Sequence, residues 1–141
     1  MGFFDKMFGG APKYPELDSA SEAAGRLEAI RGNLEELARG VSDPMEVIPS
    51  QAGAFVFIGK PPKKFGIAWI VDNQVKSFKT LMEEHGVSAT EVAKVSDELR
   101  EAYLRHHDTE HFQTTIAERD IVVTPSEPLE HEVREILSQL H

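Results

Sequence analysis

Residues 54–71 read AFVFIGKPPKKFGIAWIV, and the fold turns on how this stretch divides. Residues 54–59 and 65–71 are two short apolar runs rich in Phe, Val and Ile, side chains that suit a pleated, buried surface. Between them stands Lys60-Pro61-Pro62-Lys63-Lys64. Two prolines stiffen that tip and three lysines keep it in water, so the runs are expected to pair as an antiparallel hairpin. Asp72-Asn73 then closes the second strand. Upstream, Asp43-Pro44 marks a turn, and residues 45–48 read as a short strand ended by Pro49.

Further upstream, residues 17–40 read as one long helix, capped by Asp18 or Ser19. Its apolar residues Ala20, Ala23, Leu27, Ile30, Leu34, Leu37 and Val41 recur at alternating spacings of three and four. That is a heptad seam. The flanking positions lack the alternating charges by which coiled coils select partners, so the helix is expected to pack on its own sheet. Downstream, Ser77 caps a helix to about His85, and Gly86 suits a left-handed C-terminal cap. Ser88-Ala-Thr-Glu91 is a capping box opening a helix to about His107. Residues 114–117 and 121–124 read as two more strands. Ser126 caps a last helix over residues 127–140, with Leu129, Val133, Ile136, Leu137 and Leu140 on one face.

The predicted order is α-β-β-β-α-β-β-α, the second α being split. Short turns between strands favour an α+β fold: an antiparallel sheet of about five strands with helices packed on one side. This order is similar to that of the type III secretion chaperone-like fold, whose members are also small and acidic. The likeness is one of element order. The expected organisation is a flexible apolar segment over residues 1–13 and a single α+β domain over residues 14–141.

The chain has 141 residues, 15 cationic against 24 anionic, for a net charge of −9. Residues 1–64 carry a net −1 and residues 65–141 a net −8. Phosphate backbones are held by clustered Lys and Arg, so no nucleic-acid partner is expected. Residues 78–99 resemble the first two helices of a helix-turn-helix repressor. However, Ser96-Asp97-Glu98-Leu99-Arg100 continues the helical stripe where a second turn belongs, and the segment carries many acidic side chains. With zero cysteines, disulfides, thiolate zinc sites and iron–sulfur clusters are excluded. No apolar run reaches the roughly 18 residues of a membrane span, and no secretory signal stands at the N-terminus, so a cytoplasmic location is expected.

Two features carry chemistry. His107-Asp108-Thr109-Glu110-His111 fits H-x-x-E-H and resembles the inverzincin motif. The resemblance implies His107 and His111 as zinc ligands and Glu110 as the base that activates water, with His106 beside them. Near the N-terminus, Phe3, Phe4, Met7 and Phe8 share one face at helical spacing, followed by Gly9, Gly10 and Pro12 as a hinge. They form an apolar plug able to fill a groove on the domain, a twin subunit, a partner or a membrane interface. Trp69, inside an apolar strand, is expected in the core rather than as a ligand platform.

The expectation is a small, acidic, non-catalytic protein-interaction module of adaptor, regulatory or chaperone-like type. It would need no cofactor, and its partner would be another protein or a second copy of itself. The apolar side chains would be used up in the core, with no cavity of converging reactive groups. One alternative is a metal-binding protein or zinc hydrolase using His107, Glu110 and His111. Another is a peripheral factor held at a membrane or large complex by residues 3–8.

Overall fold

A computed structural model describes residues 14–51, 53–106 and 108–140. The apolar segment at residues 1–13 and His107 lie outside the described residues. The elements run α1 (Glu22–Ala29), α2 (Arg31–Gly40), β1 (Met45–Ser50), β2 (Gly53–Lys60), β3 (Lys64–Val71), β4 (Gln74–Ser77), α3 (Phe78–His85), α4 (Ala89–Arg105), β5 (Phe112–Ile116), β6 (Arg119–Val123) and α5 (Glu127–Ser138). The strands form one open sheet in the order β4-β3-β2-β1-β6-β5. All neighbours are antiparallel except β1 and β6, which run parallel through Glu46↔Val122 and Val47↔Val123.

The hairpin of residues 54–71 forms as expected, with Phe55 opposite Trp69 and Phe57 opposite Ile67. Its tip is tied down by α4: Arg100 Nε donates to the Pro62 carbonyl at 2.7 Å, and the guanidinium stands 5.7 Å above the Phe65 ring. Asp72 and Asn73 take φ of 52° and 61°. They therefore make a tight hairpin turn of the type that matches strand twist, and the chain continues into β4 instead of leaving the sheet. The sheet consequently has six strands where about five were expected.

The expected one-sided helical cover is corrected by the structure. Leu27 of α1 and Leu34 and Ala38 of α2 pack with Met45, Val47, Ala54, Val56 and Ile70 on one face. Residues of α3, α4 and α5, including Leu81, Leu99 and Val133, pack with Ile48, Phe57, Ile67 and Trp69 on the other. The physical reason lies in the quoted stretch: the central strands are apolar at consecutive positions, so both faces must leave water. At roughly 1.5–3 kcal/mol per fully buried large side chain, neither face could stay bare.

The single helix expected over residues 17–40 is two. α1 starts at Glu22 on the Ser21 cap, whose hydroxyl accepts from the Ala24 N–H at 3.1 Å. The chain breaks helical geometry at Ile30 (φ −119°, ψ 21°) and restarts at Arg31. Gly25 and Gly32 flank the break, each costing about 1 kcal/mol in a helix relative to Ala. Arg119 closes the C-terminal end of α2, donating to the carbonyls of Ala38, Val41 and Asp43 at 2.8, 2.7 and 2.5 Å. A cation there complements the negative end of the helix. The caps expected at Ser77, Gly86, Ser88–Glu91 and Ser126 are all present. Among the described residues, no helix is long and apolar enough to cross a membrane.

Pro49 lies inside β1 rather than ending it, paired with Ala54. It is tolerated there because β6 pairs with β1 only at Glu46 and Val47, so no ladder bond is demanded of Pro49 on that side.

Candidate binding cleft

One end of the sheet brings together the close of β1, the start of β2, the close of β3 and the start of α5. A cleft of about 810 Å³ opens there, within the range of ligand pockets. Its floor is the cross-strand pair Phe55 and Trp69 with Val71 on the same face, and Ala54 and Ile70, which pack toward α1 and α2, border it at the end of the sheet. Such aromatic pairs stabilise a sheet and also present a flat apolar surface. Trp69 is held edge-on against Phe78, with ring centroids 6.3 Å apart. Ser50 and Gln51 of the β1–β2 turn supply one polar edge, and Arg26 of α1 another. The remaining wall is one flank of α5, from Glu127 and Pro128 to Leu137 and Ser138.

Gly53 holds the floor together. A Cβ at this position would lie 1.7 Å from the Ile70 carbonyl oxygen, so only glycine lets β2 and β3 close at this end.

Arg26, His131 and Arg134 on the rim each stand beside a carboxylate. Arg26 meets Glu22 at 3.3 Å, and His131 meets Glu135 at 3.3 Å. Arg134 grips Glu130 through two bonds of 3.0 and 2.6 Å, and this bidentate contact holds its guanidinium above its ordinary pKa. Both signs are present among the lining residues, so the rim presents no single-sign field to draw in a highly charged ligand. What the cleft can do is bury apolar side chains against Phe55, Trp69 and Val71 while Ser50 and Gln51 hydrogen-bond a passing backbone.

Beside the cleft, a buried polar network fixes the α5 wall. Tyr103 donates to Glu46 Oε1 at 2.7 Å, and Thr124 donates to Glu46 Oε2 at 2.5 Å. His111 Nδ1 lies 2.8 Å from the Thr124 hydroxyl. The one Thr124 proton is committed to Glu46, so the Thr124 oxygen is left to accept at the His111 side. Thr124 is fully buried and Glu46 nearly so. Burial and the Glu46 charge push the Tyr103 hydroxyl far above its usual range, so it remains a donor. The Tyr14 ring rests on the His111 ring at 5.1 Å, and Tyr14 N–H donates to Gln113 Oε1. The network thus joins β1, α4, the β6–α5 junction and the start of the described chain. Thr124 precedes the cleft-lining Glu127 and Pro128 by three and four residues.

The H-x-x-E-H string is described only in part. α4 ends at Arg105 with His106 as its C-cap. His107 is outside the described residues. His106 bonds to Glu132 of α5, His111 turns to Thr124 and lies 3.6 Å from Glu46, and Glu110 is exposed. Among the described residues, no group of three His, Asp or Glu side chains is placed to hold a metal ion. Phe3, Phe4, Met7 and Phe8 are outside the described residues. Trp69 is in the core as expected, 7% exposed, and also lines the cleft.

Sequence reading missed the cleft itself and with it the roles of Phe55, Arg26 and the α5 flank. The available signal was the period of two in the hairpin. It places Phe55 and Trp69 on the same face near its open end, where the flanking turn supplies no bulky cover. No family model, no curated protein and no solved structure matches this chain.

Proposed function

We propose that this protein is a small protein-interaction module that captures an apolar, aromatic-bearing peptide segment in the cleft between α5 and the end of the β1–β2–β3 sheet. The observation that carries this reading is the Phe55–Trp69 floor, with Arg26, His131 and Arg134 on its rim each beside a carboxylate of the protein. A site built for acid–base chemistry holds titratable groups converging on one point. Here Arg26, His131 and Arg134 each face a carboxylate of their own helix. Apolar burial therefore supplies the affinity, and the polar rim sets the register, as in other peptide grooves. The reading keeps the expected class, an adaptor or chaperone-like partner-binder, and assigns it a surface.

The test is a fluorescence-anisotropy titration with a labelled peptide containing Phe-Lys-Glu-Ala-Phe. Saturable binding is expected. Ser138→Tyr, which fills the cleft from an exposed position without touching the core, should abolish it, and Phe55→Ala should weaken it. Absence of binding, or binding that both variants leave unchanged, contradicts the proposal.

A further inference from the structure

We infer that a second interaction surface lies at the far end of the β2–β3 hairpin. The open edge of β3 over residues 64–67, together with Lys60, Lys63 and Lys64, takes up an extended acidic peptide segment as an added strand. The cleft opens at the other end of the same hairpin, and this surface does not depend on the cleft reading.

The first observation is an edge left unpaired. β3 has eight residues and β4 has four. β4 pairs with Ala68–Val71, so no strand of the described chain lies beside residues 64–67 on that side. The backbone there points outward. Gly59 N–H donates to the Pro44 carbonyl at 2.8 Å, away from β3. Its antiparallel partner Phe65 therefore also turns its N–H and C=O away from β2, toward the open side. Lys64 and Gly66 are exposed, and nothing stands within 4 Å of where a Gly66 side chain would begin. An unpaired stretch of ladder is a template for an incoming strand.

The second is unrelieved charge. Lys60 and Lys64 stand directly opposite each other in the ladder, and like charges so placed repel. Lys63 adds a third at the tip. Every arginine of the chain contacts a carboxylate or a carbonyl of the protein. The three tip lysines are exposed and contact no carboxylate among the described residues. A ligand bearing carboxylates relieves their repulsion.

The third is a fixed frame. Arg100 holds the Pro62 carbonyl and covers the Phe65 ring. Gly59 takes φ of 117°, and a Cβ there would meet the Lys64 carbonyl oxygen at 2.8 Å, so glycine lets the strands close beside the tip. Lysines presented on such a frame lose less freedom on binding than lysines on a loose loop.

The period of two sets the occupant's pattern. Lys60, Lys64 and Gly66 share one face of the hairpin and Phe65 lies on the other. The added strand therefore carries carboxylates at alternate positions, beside Lys64 and the open space at Gly66, with an apolar side chain beside Phe65. Ladder pairing requires a polypeptide, and a net charge of −9 disfavours extended polyanions such as a nucleic-acid duplex or an anionic bilayer.

The test titrates a fluorescein-labelled Val-Glu-Val-Glu-Val-Glu peptide into the full chain, followed by anisotropy. Saturable binding is expected, weakening as salt rises from about 0.05 to 0.5 M because exposed charges are screened. Lys60→Gln combined with Lys64→Gln, both at exposed positions, should weaken it about tenfold. Amide shifts of the isotope-labelled protein should concentrate at Lys63, Lys64, Phe65 and Gly66. Two further peptides, N-methylated at alternate amides in the two possible phases, test the ladder. A strand bonds to β3 through one edge, so one form should bind and the other should not. Absence of saturable binding overturns the inference, as does equal affinity for the parent and the lysine variant. Like behaviour of the two methylated peptides overturns strand addition and the inference with it. Shifts at Ser50, Gln51 and Trp69 in place of the tip overturn it as well, and leave the cleft reading standing.

Discussion

Replacing Glu46 with alanine removes both acceptors of the buried network in one step. The Tyr103 hydroxyl loses its partner at 2.7 Å and the Thr124 hydroxyl its partner at 2.5 Å, the latter with no access to solvent. A buried donor left unsatisfied costs about 1–3 kcal/mol. Some of that is recovered because a carboxylate need no longer be desolvated. A net loss of about 2–4 kcal/mol follows. At roughly 3–5 °C per kcal/mol for a chain of this size, Tm should fall by about 6–20 °C. Glu46→Gln is the informative control. Its amide oxygen still accepts from Tyr103, while Thr124 must find another use for its proton, so a loss of about 1 kcal/mol is expected. Urea unfolding followed by circular dichroism measures both. A double-mutant cycle with Tyr103→Phe should return a coupling of about 0.5–3 kcal/mol. A Glu46→Ala protein within about 0.5 kcal/mol of the parent, within the range of an ordinary surface change, would refute the claim that this network fixes the cleft wall.

Three further outcomes are expected. Leu34 and Leu99 are both fully buried, on opposite faces of the sheet. Leu34→Ala and Leu99→Ala should therefore each cost about 2–5 kcal/mol in urea unfolding, and a near-silent Leu34→Ala would mean that α2 covers nothing. Gly53→Ala should cost more than about 3 kcal/mol because its Cβ meets the Ile70 carbonyl, whereas Gly66→Ala, with open space around it, should stay within about 1 kcal/mol of the parent. Burial alone would raise the Glu132 carboxyl, but hydrogen bonds from Arg105 and His106 outweigh it and hold the group below the usual carboxylate range. Its folded pKa is thus depressed, so its contribution is full above the unfolded value and lost as pH falls through the folded one. Glu132→Gln should make the acid loss of stability shallower, and an unchanged acid limb would speak against the pairing.

Local signals were legible in the sequence because each has a local cause. Caps at Ser77, Ser88 and Ser126, the Gly86 turn and the central hairpin depend on residues within a few positions of one another. Three things were not legible. The parallel β1–β6 pairing joins segments about 75 residues apart, and no turn chemistry reports on it. The second helical layer depends on reading the strands as buried on both faces, which a run of consecutive apolar residues implies but a hairpin reading does not require. β4 was hidden because Asp72-Asn73 served equally as a strand end and as a hairpin turn, and only the positive φ at both residues decides between them. For the site, the H-x-x-E-H string drew attention through spacing alone. The described members of the string, Glu110 and His111, follow the end of α4 at Arg105, and His107 lies outside the described residues. The Phe55–Trp69 pair carried no such motif, because an apolar floor looks like core until the missing cover is seen.

The most direct test of the peptide-cleft account is chemical-shift mapping of the isotope-labelled protein during titration with the Phe-Lys-Glu-Ala-Phe peptide. The account predicts that shifts concentrate on Ser50, Gln51, Phe55, Val71, His131 and Ser138, with the Trp69 indole among them. Shifts confined to the β4 edge or to the α4 surface, with these residues unmoved, would contradict it.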